Sequence, residues 1–164
     1  MNSTKTKTLI AYFSHSGNTR TVAQQIQKIT GGDLFEIAAE KPYPRDYNTV
    51  VEVAKREQSA NQRPPLKTIV ENMAGYNVVI LGYPNWWSTM PMPVFTFLEQ
   101  YDFSGKTILP YCTHEGSRMG RSEKDIALLC PAATVLSGLA IRGSSVKAAQ
   151  AEVAEWLLKA KIHA

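Results

Sequence analysis

Cysteine is scarce in this chain, with two in 164 residues. Cys112 and Cys130 stand too far apart for metal-ligand spacing, which argues against a thiolate metal site and a disulfide scaffold. Both are expected to be free, semi-buried thiols. Long apolar runs are missing too: nothing approaches the ~18 consecutive apolar residues of a membrane span. Met1–Lys5 shows neither the apolar core nor the small-residue cleavage site of a secretory leader, so a cytoplasmic location is the expectation. Charge is not concentrated either. The net charge is +4, yet the basic residues are scattered with no run of five or six, so no nucleic acid partner is expected. Two phosphate-binding signatures are also absent. No Gly-Lys-Ser/Thr closes a nucleotide loop, and no three spaced glycines mark a dinucleotide turn.

What is present is an alternation of strand and helix patterns. Leu9–Phe13 reads as the first strand and Thr21–Ile29 as a helix burying Val22, Ile26 and Ile29, ended by Gly31-Gly32. Leu34–Ile37, Val78–Leu81, Thr107–Cys112 and Thr134–Leu139 read as further strands. A helix carrying Val94, Phe97, Leu98 and Tyr101 follows the third strand, Ser122–Leu129 follows the fourth, and a helix from Ser144 to about Lys161 follows the fifth. Such alternation predicts one α/β domain, a five-stranded parallel sheet with helices on both faces. About forty residues separate the second strand from the third, long for one crossover. Within this embellished crossover, at about 40–75, Pro42-Tyr43-Pro44 is extended, Tyr47–Gln58 fits a helix, and Leu66–Met73 fits a second.

Ligands of open parallel sheets bind beyond the carboxyl ends of the strands, which directs attention to three loops. After the first strand comes Ser14-His15-Ser16-Gly17-Asn18-Thr19. Hydroxyls, Gly and Asn leading into a helix make a phosphate cradle: free N–H groups of the first helical turn point at the anion, and the helix dipole favours it. An ordinary capped turn uses the same residue types. After the third strand comes Pro84-Asn85-Trp86-Trp87-Ser88-Thr89, then Met90-Pro91. Two tryptophans in a turn lie off any periodic core pattern; one is expected to anchor the loop and the other to stack on a planar ligand. After the fourth strand comes Thr113-His114-Glu115-Gly116, continuing to Gly120, with glycines for close backbone approach. Together the loops suit a ligand with a phosphate at one end and a flat ring at the other. His15 and His114 read first as loop histidines satisfied by backbone acceptors and donors.

Ser14–Thr19 resembles the FMN-phosphate loop of flavodoxins, and Pro84–Pro91 and Thr113–Gly120 resemble their two flavin-ring loops. The order of elements is similar over nearly the whole chain. Tyr83–Trp87 with Met90-Pro91, Thr113–Ser117 and Pro42-Tyr43-Pro44 resemble a bacterial flavodoxin-like subfamily with no long insertion in the fifth strand. The resemblance implies a sheet of order 2-1-3-4-5 and noncovalent FMN held at its carboxyl edge by those three loops. It further implies electron transfer with a redox partner protein or a small-molecule donor or acceptor, in a monomer or homodimer, with Trp87 against the ring and Trp86 as anchor. Electron-carrier flavodoxins are usually acidic, and this chain is basic. A flavin-dependent NAD(P)H:quinone-type oxidoreductase and a redox-sensing flavin module are the alternatives. Cys112 and Arg118 also fit the bare Cys-x5-Arg spacing of a thiolate phosphatase, but Glu115 would place a negative charge where a dianion must sit.

Overall fold

The computed structural model describes residues 7–162, so Met1–Lys5 lies outside the described residues. Thr8–Tyr12 forms β1, buried along its whole length. Its side chains alternate between two cores. Leu9 and Ala11 join one with Val79, Leu81 and Ile108, and Ile10 and Tyr12 join the other with Ile80, Leu109 and Tyr111. A strand buried on both faces reads as an unbroken apolar run because neither face meets water.

β2 (Asp33–Glu36), β3 (Val78–Pro84) and β4 (Thr107–His114) complete the centre of the sheet. Beyond β4 lie β5 (Thr134–Val135) and β6 (Leu139–Arg142). All strand pairings are parallel, in the order β2-β1-β3-β4-β5 that the resemblance implied, with β6 as a further strand on β4. Helices α1 (Asn18–Thr30) and α5 (Gln150–Lys159) cover one face through Val22, Ile26, Val153 and Leu157. α3 (Met92–Gln100) and α4 (Ser122–Leu129) cover the other through Val94, Phe97, Leu98 and Ile126.

Three elements differ from the sequence expectation. The fifth strand is not continuous over Thr134–Leu139; it divides around Leu136–Gly138 and resumes to Arg142. Leu136 N–H donates to the Ile108 carbonyl, so the even-numbered residues of β4 turn toward this edge, where Pro110 has no N–H to offer. The Gly138 amide instead donates to the Glu123 carboxylate at 2.7 Å. Leu66–Met73 is not a helix. Leu66 bridges Ala39, Lys67 N–H goes to the Ala38 carbonyl, and Val70 N–H goes to the Tyr101 hydroxyl, so tertiary partners take the donors a helix would use. Only Met73–Gly75 makes a 3-10 turn there. The final helix starts at Gln150, after a 3-10 stretch over Gly143–Ala148. In the crossover, α2 (Tyr47–Ser59) is capped by the Asp46 carboxylate on Thr49 N–H.

Candidate functional site

β1, β3, β4 and β6 end on the same edge, and four segments meet there. The first is the Ser14–Thr19 turn. Gly17 sits in the left-handed region at φ 101° and caps α1, a conformation that glycine adopts without Cβ strain. The Ser14 hydroxyl accepts from Gly17 N–H at 3.1 Å and Arg20 N–H at 3.3 Å, which folds the turn onto itself. Among the described residues, the amides of Ser16, Asn18 and Thr19 have no hydrogen-bond partner. They are free donors at the positive end of a helix of 13 residues. Thr19 is the inward member: its side chain is 1% exposed and its hydroxyl meets that of Thr113 at 2.9 Å, while its carbonyl accepts from the buried Tyr111 hydroxyl. His15 bonds through Nε2 to the Pro44 carbonyl at 2.8 Å, tying the turn to the crossover.

The second segment continues β3 from Pro84. Trp86 and Thr89 close a tight turn by mutual backbone bonds, and the central residues, Trp87 at φ 54° and Ser88 at φ 74°, are both left-handed. Positive φ at both centres is the pattern of a type I′ turn, normally filled by Asn or Gly. Four hydrogen bonds hold this uncommon backbone. Asn85 accepts from Ser88 N–H and donates to the Arg118 carbonyl at 2.7 Å, Arg121 N–H donates to the Ser88 carbonyl at 2.8 Å, and the buried Thr89 hydroxyl donates to Asp125. Trp86 packs edge-on against Phe13 and Tyr43, each at 5.3 Å between ring centroids, and against His15. Trp87 remains 43% exposed; its indole N–H donates to the Val51 carbonyl of α2, and Lys55 lies 5.1 Å over its ring.

The third segment leaves β4 at Thr113 and His114 and turns through Glu115, Gly116 and Arg118 to Gly120. His114 accepts from Gly116 N–H through Nδ1 at 2.9 Å, the role of a neutral ring. Burial depresses its pKa below the usual 6.5, and the cations of Arg142 and Arg118 add to this against an opposing pull from Glu115. Cys112 is buried and its thiol faces the Arg118 carbonyl at 3.1 Å. Burial pushes its pKa up to about 12, so no thiolate is available and the phosphatase reading falls.

The fourth segment, Arg142-Gly143 at the end of β6, was not legible in the sequence because the fifth strand was expected to stop at Leu139. Arg142 pairs in register with His114 and donates to the Glu115 carbonyl at 3.2 Å. Gly143 fits between Asn18 and Glu115 so closely that a Cβ would collide with both side chains. The structure thus brings Ser14–Thr19, Pro84–Thr89 and Thr113–Gly116 to one rim and adds Arg142 to it.

The flavodoxin family model matches residues 7–160. Among solved structures, a protein of Bacteroides eggerthii assigned as a flavoprotein is 32% identical, with 92% of this chain and 99% of that chain covered and a TM-score of 0.77. One of Bacteroides uniformis, also assigned as a flavoprotein, is 29% identical over 92% of this chain and 99% of its own, with a TM-score of 0.81. A Lactobacillus acidophilus flavoprotein solved in complex with FMN shares the fold at 24% identity and a TM-score of 0.74, over 92% of this chain and 98% of its own. Among curated proteins none matches the chain.

Proposed function

The chain belongs to the flavodoxin family, and from that premise we propose that it is one flavodoxin-like domain that binds FMN noncovalently on the rim described above and mediates electron transfer. The observation that carries this reading is the cradle at the start of α1. Three unpartnered amides, of Ser16, Asn18 and Thr19, stand at a helix N-terminus, where the Thr19 hydroxyl meets Thr113 at the start of the loop after β4. This donor set fits a phosphate monoester, which needs many donors and no embedded lysine.

When bound, FMN supplies the redox chemistry. The chain's residues hold and shield it. The cradle takes the phosphate, with the exposed Ser16 hydroxyl able to add a further donor. The loops after β3 and β4 would flank the ring; Trp86 fixes the first of them against Phe13 and Tyr43, and Trp87, its N–H tied to the Val51 carbonyl, would be the indole offered to the ring. Electrons pass to or from a redox partner protein or a small molecule. Among the described residues no helix is long and apolar enough to cross a membrane.

The test is reconstitution. Protein incubated with FMN and gel-filtered should emerge yellow, and FMN should quench part of its tryptophan fluorescence, less so in Trp87→Ala. Each charge-assisted hydrogen bond contributes about 1.5–3 kcal/mol and every ~1.4 kcal/mol is tenfold, so FMN should bind at least a hundredfold more tightly than riboflavin. Ser16→Ala should narrow that ratio about tenfold. Equal affinities for the two flavins would remove the phosphate assignment. Reduced holoprotein that no quinone, dye or protein acceptor can reoxidise would remove electron transfer.

A further inference from the structure

Arg142 is the one cation that β6 delivers to the rim. Its guanidinium lies against the turn after β4: Nη1 donates to the Glu115 carbonyl at 3.2 Å, and both Nη atoms stand 3.9 Å from the Cβ position of Gly116. A guanidinium carries five N–H donors, and this single bond uses one. Among the described residues no carboxylate lies within ion-pair distance of Arg142, whereas Arg20, Arg63 and Arg121 each have one. The next residue, Gly143, lies against the side-chain ends of Asn18 and Glu115, so the strand end that carries Arg142 borders both loops. The charges around His114 are two cations, Arg142 and Arg118, against one carboxylate, Glu115.

We infer that Arg142 is a further cofactor-binding residue of this chain, an exposed cation on the ring side of the site that stabilises FMN on reduction and raises its midpoint potential. The inference rests on the reading given above under Proposed function. The side chain lies on the Glu115-Gly116 turn of the loop after β4, and the next residue, Gly143, borders Asn18 of the phosphate cradle. Two electrons and one proton taken from a reduced donor leave an initially neutral flavin ring with one negative charge. A nearby cation lowers the energy of that charged product and leaves the neutral oxidised ring almost untouched. The sign is therefore fixed: removing the cation lowers the potential.

The experiment measures, for wild type, Arg142→Ala and Arg142→Lys, the affinity for oxidised FMN and the two-electron midpoint by dye equilibration with dithionite. Arg142→Ala should weaken the preference for reduced over oxidised FMN about tenfold, which is a midpoint about 30 mV lower. Arg142→Lys should recover most of the shift, Glu115→Gln should move the midpoint upward, and riboflavin-loaded Arg142→Ala should shift as FMN-loaded protein does. Arg142→Gln keeps a donor for the Glu115 carbonyl without the charge and gives the same reading if the alanine variant fails to fold. An unchanged midpoint in FMN-loaded Arg142→Gln overturns the inference. So does a loss of oxidised-FMN affinity that spares riboflavin, which would place Arg142 on the phosphate. Wild-type protein that retains no FMN would overturn the underlying reading instead, and is distinguishable because no variant enters that measurement.

Discussion

Gly120 shows how narrowly single residues set this site. It sits at φ 55°, and a Cβ there would run into the Ser88 carbonyl, which Arg121 N–H already holds at 2.8 Å. Gly120→Ala combines left-handed strain with a collision against fixed backbone, so it should destabilise the protein by about 2–4 kcal/mol. Because the contact joins the loops after β3 and β4, flavin affinity should fall with it. Denaturant unfolding and FMN titration of the variant measure both. His114 makes a second case. Its folded pKa lies below the usual 6.5, so the folded state favours the neutral ring. Its contribution to stability is complete above the unfolded value and is lost as pH falls through the folded one. The drop in melting temperature between pH 7.5 and pH 5.5 should thus be smaller in His114→Asn than in wild type. Equal drops would mean that other groups carry the acid sensitivity.

At the scale of elements, the divided edge strand is the informative one. Pro110 removes a ladder donor from β4, the edge strand breaks opposite it, and Glu123 satisfies the Gly138 amide from α4. After the break β6 runs on to Arg142 at the functional rim. Glu123→Ala leaves that amide without its carboxylate, at a cost of about 1.5–3 kcal/mol, and Glu123→Gln should cost less because an acceptor remains. Hydrogen exchange should show lost protection at Gly138 in the alanine variant; unaltered protection would mean that α4 does not brace the break. The β3–β4 pair carries a comparable constraint. Gly82 faces the ring of Tyr111, whose hydroxyl reaches the Thr19 carbonyl at 3.0 Å. A side chain at residue 82 would push Tyr111 off the base of the cradle.

At the scale of the molecule, one of the two cores flanking the sheet, the one shared by Leu81, Phe97 and Ile126, buries both thiols. Burial pushes Cys130 up to about 11, alongside Cys112 at about 12. At pH 8 a thiol reagent should titrate neither in folded protein and both after unfolding, with a rate that follows opening of the fold. Rapid labelling of folded protein would show that one core is looser than its packing implies. The same two-sided burial gives the sheet its rigidity, and rigid strands allow loops as short as Ser14–Thr19 to hold donors in fixed positions.

The sequence by itself determined the class of fold. Unbroken apolar runs over Leu9–Phe13 and Val78–Leu81, with helical stripes such as Val22–Ile26–Ile29 between strands, admit little besides a parallel sheet covered on both faces. It also made three of the four rim segments legible, because hydroxyls, paired tryptophans and glycines stood just after predicted strands. These are local signals. Only the tertiary structure decided the rest, where distant partners override local preference. Leu66–Val70 carries a helical pattern, yet its amides bond to Ala38 and Tyr101. Thr19 looks like a phosphate donor, yet its hydroxyl turns inward to Thr113. Trp86 and Trp87 are adjacent and chemically alike, and the φ values of one tight turn send the first into an aromatic cluster and the second toward α2. Arg142 lies 27 residues from Glu115 in sequence, and no local pattern could place its guanidinium on that carbonyl. The register of β6 on β4 did so, because parallel pairing aligns Arg142 with His114 and carries both to the same edge.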